Sequence, residues 1–257
     1  MPTVRLDSGL NLFYRESGSG DRVLLLIHGN LASSIWWDRV MALLPAGIKA
    51  YAPDLRGYGD SDKPEGEWSM HDLADDIYRF ARAVGIERAT VVGHSMGGGV
   101  AQQLTVEHPA LVERLVLLNS AEPAGLQTPP EKYAQIEAMA RQPETVKMVL
   151  GMMAPTAPKD EFYARVMEES VAKSAGSWIR GGYALDRMNL VEQVGSIAVP
   201  VLILFGQKDI LITPEMMERT HRQIPGSVLE MWPEVGHSAN LEDPERFTQR
   251  LLAFMEG

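Results

Sequence analysis

"ATVVGHSMGGGVAQQL", residues 89–104 of a 257-residue chain, decides how the remainder is read. An apolar run meets a serine, and three glycines then carry the chain into a helical stretch. Gly93-His94-Ser95-Met96-Gly97 fits G-x-S-x-G, a pattern that gains meaning only between a strand and a helix. A serine held on a sharp turn needs neighbours without Cβ atoms, because strand and helix must approach closely there. Such a turn pushes Oγ out at the carboxyl end of a sheet, where open α/β folds bind ligands. Two rival readings exist. A phosphate-binding loop requires G-x-x-x-x-G-K-[ST], but no lysine follows, and the dinucleotide fingerprint G-x-G-x-x-G is absent. The plainer rival is that the glycines serve helix–strand packing alone.

Working outward, "RVLLLIHG" at 22–29 is a continuous apolar run closing on glycine, the signature of a buried parallel strand. Two alternating segments, 3–6 and 10–15, flank "DSG" and predict an antiparallel hairpin. A strand is expected over 48–54, then a helix over 69–85 opened by the capping pair Ser69 and Asp72. Further strands are expected at 89–94 and 112–119. Strand–helix alternation of this kind predicts an α/β fold, a parallel sheet with helices on both faces. From 121 to 195 the rhythm breaks into helical segments punctuated by Pro129, Pro130, Pro143, Pro155 and Pro158. It returns with "VPVLILFG" at 199–206, a helix opening at Thr213-Pro214, a strand at 227–232 and a last helix from Asp243-Pro244. The expected organisation is an α/β core, residues 1–120 and 196–257, with a helical cap, residues 121–195, lying over the sheet.

Composition narrows the function. Hydrophobic residues make up 45% of the chain, enough for a full core, and the net charge is −10. An acidic chain without a basic patch has no electrostatic reason to seek nucleic acid or an anionic membrane. The absence of cysteine removes disulfides, thiolate catalysis and cysteine-ligated zinc. The N-terminal residues lack a signal peptide's apolar core, and the longest apolar run, "VPVLILF", is too short to span a bilayer. The expectation is a soluble, cytoplasmic monomer or homodimer acting on a small molecule.

A nucleophilic serine needs a base, and the base needs an orienting carboxylate. His237, in "WPEVGHSANLEDPERF", follows the last strand and reaches the same sheet edge as Ser95. His94 neighbours the serine and is expected to turn its ring elsewhere, while His28 braces its own loop. His71, His108 and His221 fall on helix faces or ends. For the acid, Asp209 directly follows a buried strand in "LFGQKDILITP", in the chain order Ser…Asp…His; Glu122 is the rival. Asp54 also ends a strand and is expected to hold its glycine-rich loop through Arg56. Two backbone amides must receive the oxyanion. Met96 supplies one, and Asn30, in "LIHGNLASS", supplies the other, with Leu31 as the second choice.

With these residues in place the chain closely resembles the α/β-hydrolase fold family. "LLLIHGN", "PDLRGYGDSDKP", "VVGHSMGGGVA", "VPVLILFGQKD" and "EVGHSANLEDPERF" occur in the family's order along essentially the full length. The resemblance implies an eight-stranded, mostly parallel sheet with a helical cap inserted after the sixth strand. It also implies a Ser95–Asp209–His237 triad, with no metal and no cofactor. "GHSMGG" is most similar to small carboxylesterases, enol-lactonases and haloperoxidase-like perhydrolases. "HGN" resembles haloalkane dehalogenases, but those, like epoxide hydrolases, carry aspartate where this chain has Ser95. The HGGG oxyanion loop of one lipase and esterase branch is absent.

The expected activity is hydrolysis of small to medium carboxylic esters through an acyl-enzyme. Lactone hydrolysis, perhydrolysis and carbon–carbon bond hydrolysis stay open on the same triad, as does a non-catalytic ligand receptor of this fold. The cap is rich in methionine and aromatic residues, which suit irregular apolar ligands. Leu31, Met152, Trp178 and Tyr183 are the candidate substrate contacts. Arg141, Arg165, Arg180 and Arg187 are read as a solvated face that could alternatively meet a substrate carboxylate.

Overall fold

The computed structural model describes residues 2–257. Among them, eight strands form one sheet: β1 (Thr3–Arg5), β2 (Asn11–Gly18), β3 (Arg22–Ile27), β4 (Ile48–Pro53), β5 (Ala89–His94), β6 (Val112–Leu118), β7 (Val201–Gly206) and β8 (Val228–Trp232). Their spatial order is β1-β2-β4-β3-β5-β6-β7-β8. The β1–β2 hairpin and the β2–β4 pair are antiparallel, and every later pair is parallel.

Both faces of the central strands are covered, which explains their unbroken apolar runs. Leu24 and Leu26 of β3 enter one core layer, while Leu25 and Ile27 enter the other. Val91 and Val92, Leu115 and Val116, and Leu202 and Ile203 divide in the same period-two way. Three helices precede β6: α1 (Asp38–Ala42), α2 (Met70–Ala83) and α3 (Met96–Glu107). Helix α2 begins with the expected capping box, Ser69 and Asp72, and buries Leu73, Ile77, Phe80 and Ala81.

The position of the site follows from strand order. β3 pairs with β4 on one side and β5 on the other, so the chain leaves these two strands in opposite directions. α1 places Val40 and Met41 in one layer, while α3 places Val100, Ala101 and Leu104 in the other. This divergence opens a crevice at the carboxyl ends of β3 and β5.

Residues 119–200, between β6 and β7, contribute helices and turns: α4 (Lys132–Ala140), α5 (Pro143–Met153), α6 (Glu161–Ser174) and α7 (Trp178–Asp186). They dock on loops leaving the sheet's carboxyl edge. Trp36 Nε1 donates to Ser170 Oγ (2.9 Å), and Asn30 Nδ2 donates to the Trp178 carbonyl (2.9 Å). Leu31, Ile35 and Trp36 share an apolar cluster with Val146, Leu150 and Val166. The chain ends with α8 (Pro214–Gln223), α9 (Ala239–Glu242) and α10 (Pro244–Glu256). No helix among the described residues is long and apolar enough to cross a membrane.

One expected contact is replaced by two others. Asp54 does not work through Arg56. Its carboxylate accepts the Ser34 N–H (2.6 Å) and the Asp60 N–H (2.8 Å), tying the loops after β3 and β4 together. Arg56 instead forks onto Asp76, whose side chain is wholly buried on α2 and takes both its hydrogen bonds from that guanidinium. Burial holds the Asp76 carboxyl above its ordinary range even with Arg56 beside it. Removing one partner of such a pair strands the other. Arg56→Ala is therefore expected to lower stability by about 3 kcal/mol or more, measured by urea unfolding at neutral pH. A loss under about 0.5 kcal/mol, the size of an ordinary surface change, would overturn this account.

Candidate active site

Ser95 closes β5 at φ 56° and ψ −121°, a region that residues with a Cβ rarely occupy. The surrounding backbone holds it there. Its N–H donates to the Leu118 carbonyl (3.0 Å), and its carbonyl accepts the amides of Gly98 (2.9 Å) and Ala121 (3.0 Å). A Cβ on Gly93 would strike the Gly97–Gly98 backbone, and one on Gly97 would strike the carbonyls of Ile27 and His28. The glycines of the motif therefore permit close approach, and the serine alone takes the strained angle.

Asp209 follows β7 and His237 follows β8, and His237 Nδ1 meets Asp209 Oδ2 at 2.6 Å. The other carboxylate oxygen accepts the amides of Leu211 (2.8 Å) and Ile212 (3.1 Å), while Asn119 Nδ2 donates to Oδ2 (2.7 Å). Burial opposes the Asp209 charge, yet the His237 ring and these donors outweigh it and hold its pKa below the ordinary value. A carboxylate so held keeps the imidazole proton on Nδ1 and leaves Nε2 as the acceptor. Ser95 and His237 line the same cavity.

His94 differs from expectation. Its ring does not turn away but lies 4.9 Å from the His237 ring, stacked on Trp36. Nε2–H donates to the His237 carbonyl (2.9 Å), while Nδ1 is buried without a partner. Burial, then the neighbouring His237, pushes its pKa down to about 3. The ring is thus neutral, a fixed donor beside His237 rather than a neighbouring cation. His28 braces its loop as read: Nδ1–H donates to the Gly29 carbonyl (2.8 Å), and Nε2 accepts the Leu55 N–H (3.0 Å).

The amide of Met96 opens α3, and neither it nor the amide of Asn30 has an acceptor among the described residues. The Asn30 side chain organises the facing loop. Its Oδ1 accepts from Tyr58 OH (2.9 Å) and from the Leu31 N–H (3.0 Å). The Leu31 amide is thereby engaged, and Asn30 and Met96 keep free N–H groups. A helix N-terminus adds a favourable partial charge for an anion at Met96.

The cavity beside Ser95 measures about 460 Å³, within the usual range for small-molecule sites. Leu31 and Trp178 line it, as do Trp36, Tyr133, Leu150 and Met153. Two expected contacts do not. Met152 is 47% exposed and faces away, because α5 turns Val146, Val149, Leu150 and Met153 inward at helical spacing and carries Met152 outward. Tyr183 lies behind Tyr133, its ring stacked at 4.3 Å, and is absent from the wall. Arg141, Arg165, Arg180 and Arg187 all lie off the wall; three meet Glu137, Asp38 and Glu67, and Arg180 covers Trp68. Glu122 is clamped by Arg219 through two 2.8 Å hydrogen bonds and does not approach His237. Sequence reading passed over Asn119 and Glu242, both polar residues buried at the sheet edge. Their burial next to strand ends is the feature that distinguishes them, and composition does not carry it.

Comparisons with known proteins agree with this architecture. The profile of the Alpha/beta hydrolase family matches residues 24–250. An uncharacterized protein of Mycobacterium tuberculosis is 30% identical over 290 residues, covering 99% of this chain and 82% of its own. The pimeloyl-[acyl-carrier protein] methyl ester esterase of Pectobacterium atrosepticum is 26% identical, covering 95% of this chain and 98% of its own. The crystal structure of the enol-lactonase from Burkholderia xenovorans superposes with a TM-score of 0.87 at 23% identity, covering 100% of both chains. At that identity the likeness concerns the fold.

The buried histidines set an acid limit on stability. His94 and His28 both have folded pKa values lowered, chiefly by burial, from an ordinary value of 6.5. The unfolded chain therefore binds protons that the folded chain refuses. The contribution of these rings to stability is full above about pH 6.5 and falls as the pH drops below it, by up to about 1.4 kcal/mol per pH unit for each ring and, for His94, down to a pH of about 3. His94→Gln is expected to flatten this slope in urea unfolding between pH 7 and pH 5, by about a quarter of a proton at pH 7 and close to a full proton at pH 5. An unchanged slope would show that His94 is not held neutral.

Proposed function

The chain belongs to the α/β-hydrolase family, and from that premise we propose that it is a serine hydrolase cleaving small to medium carboxylic esters. The observation that carries this reading is the 2.6 Å Asp209–His237 pair opening on the cavity into which the strained turn presents Ser95. In the forward step Ser95 Oγ attacks the ester carbonyl while His237 Nε2 takes its proton. Asp209 keeps the imidazole oriented and stabilises the imidazolium. The carbonyl oxygen, becoming an oxyanion, is met by the amides of Met96 and Asn30. Collapse expels the alcohol, which takes its proton from His237, and leaves Ser95 acylated. Water, deprotonated by His237, then attacks the acyl carbon and releases the acid.

The helices between β6 and β7 act as a cap in this reading. Their wall beside Ser95 is chiefly apolar, which suits the acyl chain of an ester rather than a heavily charged group. The methyl ester esterase relative supports ester cleavage as the reaction class. A second reading has one observation in its favour. Lys132 lies on the cavity wall and makes no ion pair among the described residues, so a lactone or ester bearing an anionic group would find a counter-ion there.

Two measurements test the proposal. Ser95→Ala is expected to lower hydrolysis of p-nitrophenyl butyrate by roughly 10⁴–10⁶-fold and to abolish labelling by a fluorophosphonate. Turnover left largely intact would sink the assignment of Ser95. A panel of neutral esters against anionic lactones, compared by kcat/KM, separates the two substrate readings.

A further inference from the structure

Glu242, at the end of α9, is a buried carboxylate with no Lys or Arg partner among the described residues. Its hydrogen bonds go instead to the loop that carries His237. Oε2 accepts the Gly236 N–H (2.8 Å) and Oε1 accepts the Ser238 N–H (2.9 Å), so both neighbours of the base rest on one side chain. Oε2 also accepts the backbone N–H of Thr156 (3.1 Å) and the Thr156 hydroxyl, which belong to the segment following α5.

Two further contacts run along the same line. Ser238 Oγ donates to the Met153 carbonyl (3.0 Å). Gly236 lies against Pro155, where an added Cβ would come within 2.6 Å of the proline ring. Residues 153–156 therefore lie against residues 236–238 through two direct contacts, and Glu242 bridges the two segments as a third link. The same α5 forms part of the cavity wall through Val149, Leu150 and Met153. A buried anion without a counter-ion is expensive to keep, and four hydrogen bonds are what make it tolerable. An apolar side chain would fill the space at lower cost but hold neither segment.

We propose that Glu242 is a positioning residue that aligns His237 and, through Thr156, makes that alignment respond to the acyl group seated against α5. The inference rests on the Ser95–His237 chemistry proposed above. An acyl chain long enough to pack on Val149, Leu150 and Met153 steadies α5, and the contacts at 153–156 pass that steadiness to the base. A short acyl group leaves the wall untouched and the clamp looser. The coupling therefore acts on kcat and grows with chain length.

The test compares Thr156→Val with Thr156→Ser, using p-nitrophenyl acetate and p-nitrophenyl hexanoate. Valine removes the hydroxyl donor to Glu242, while serine keeps it. Thr156→Val is expected to lower kcat on the hexanoate about tenfold, the effect of one charge-assisted hydrogen bond. KM should stay within about twofold and the acetate should lose less than about threefold, on the same scale. Thr156→Ser is expected to retain the wild-type dependence on chain length. Equal losses on both esters, a change confined to KM, or no rescue by serine would each overturn the coupling. Glu242→Gln supplies a second variant: an amide nitrogen cannot accept, so one side of His237 is released and kcat falls on both esters. Unchanged kcat in folded Glu242→Gln would overturn the positioning role, and if that variant does not fold the Thr156 pair still decides the coupling. Fluorophosphonate labelling of the wild type keeps the two proposals apart. Unlabelled wild type refutes serine chemistry itself, whereas labelled wild type with an indifferent Thr156→Val refutes the coupling alone.

Discussion

Ser95 carries a side chain at a φ of 56°, a backbone state that costs on the order of 1–3 kcal/mol and survives only where the surroundings over-determine it. Here the over-determination is local and specific. β6 accepts the Ser95 amide, the start of α3 and the chain beyond β6 donate to its carbonyl, and Gly93 and Gly97 let α3 close to backbone contact with β5 and with the end of β3. Parallel strands buried on both faces supply the rigidity behind that turn, because their side chains interlock with helices in two layers. The serine is pinned by the fold, while its partners arrive on separate loops.

Those loops are held by different chemistry. Asp209 sits among backbone amides and Asn119, which stabilise its charge, and His237 sits between that charge and a neutral histidine. His94 and Glu242 secure opposite sides of the same short loop, one through the carbonyl of His237 and one through the amides on either side of it. A backbone so fastened leaves the imidazole ring as the moving part. This is the kind of preorganisation that the proposed proton transfer between Ser95 and His237 requires.

The sequence made the sheet, its parallel centre and the order of the strand-end residues legible, since each rests on patterns of local range. Leu24 to Ile27 read as a strand because an unbroken apolar run has few other destinations. The motif around Ser95 read as a turn because its glycines make sense only where elements crowd together. What escaped depends on rotation about a helix or on a partner far along the chain. Met152 and Met153 are equally apolar, and only the inward row of Val146, Val149, Leu150 and Met153 decides between them. That row was present in the sequence, and its spacing could have pointed to Met153. Arg56 met Asp76 rather than Asp54 because Asp54 was already engaged by two amides from distant loops. Glu242 offered no signal beside other acidic residues of a helix start, since its importance lies in which amides it reaches.

β6 and β7 are hydrogen-bonded neighbours, yet the whole of residues 119–200 lies between them. In polymer terms this is a closed loop, and closing a flexible loop costs only about 0.6 kcal/mol more for each doubling of its length. The sheet is therefore nearly indifferent to how much chain is looped out at that point. Helices can be lengthened or exchanged there without re-pricing the strand pairing beneath. What disciplines the insertion is its middle, where hydrogen bonds at residues 153–156 tie it to Ser238 and Glu242 beside His237. A chain built this way can change the shape of its cavity wall in large steps while the spacing of Ser95, Asp209 and His237 stays fixed.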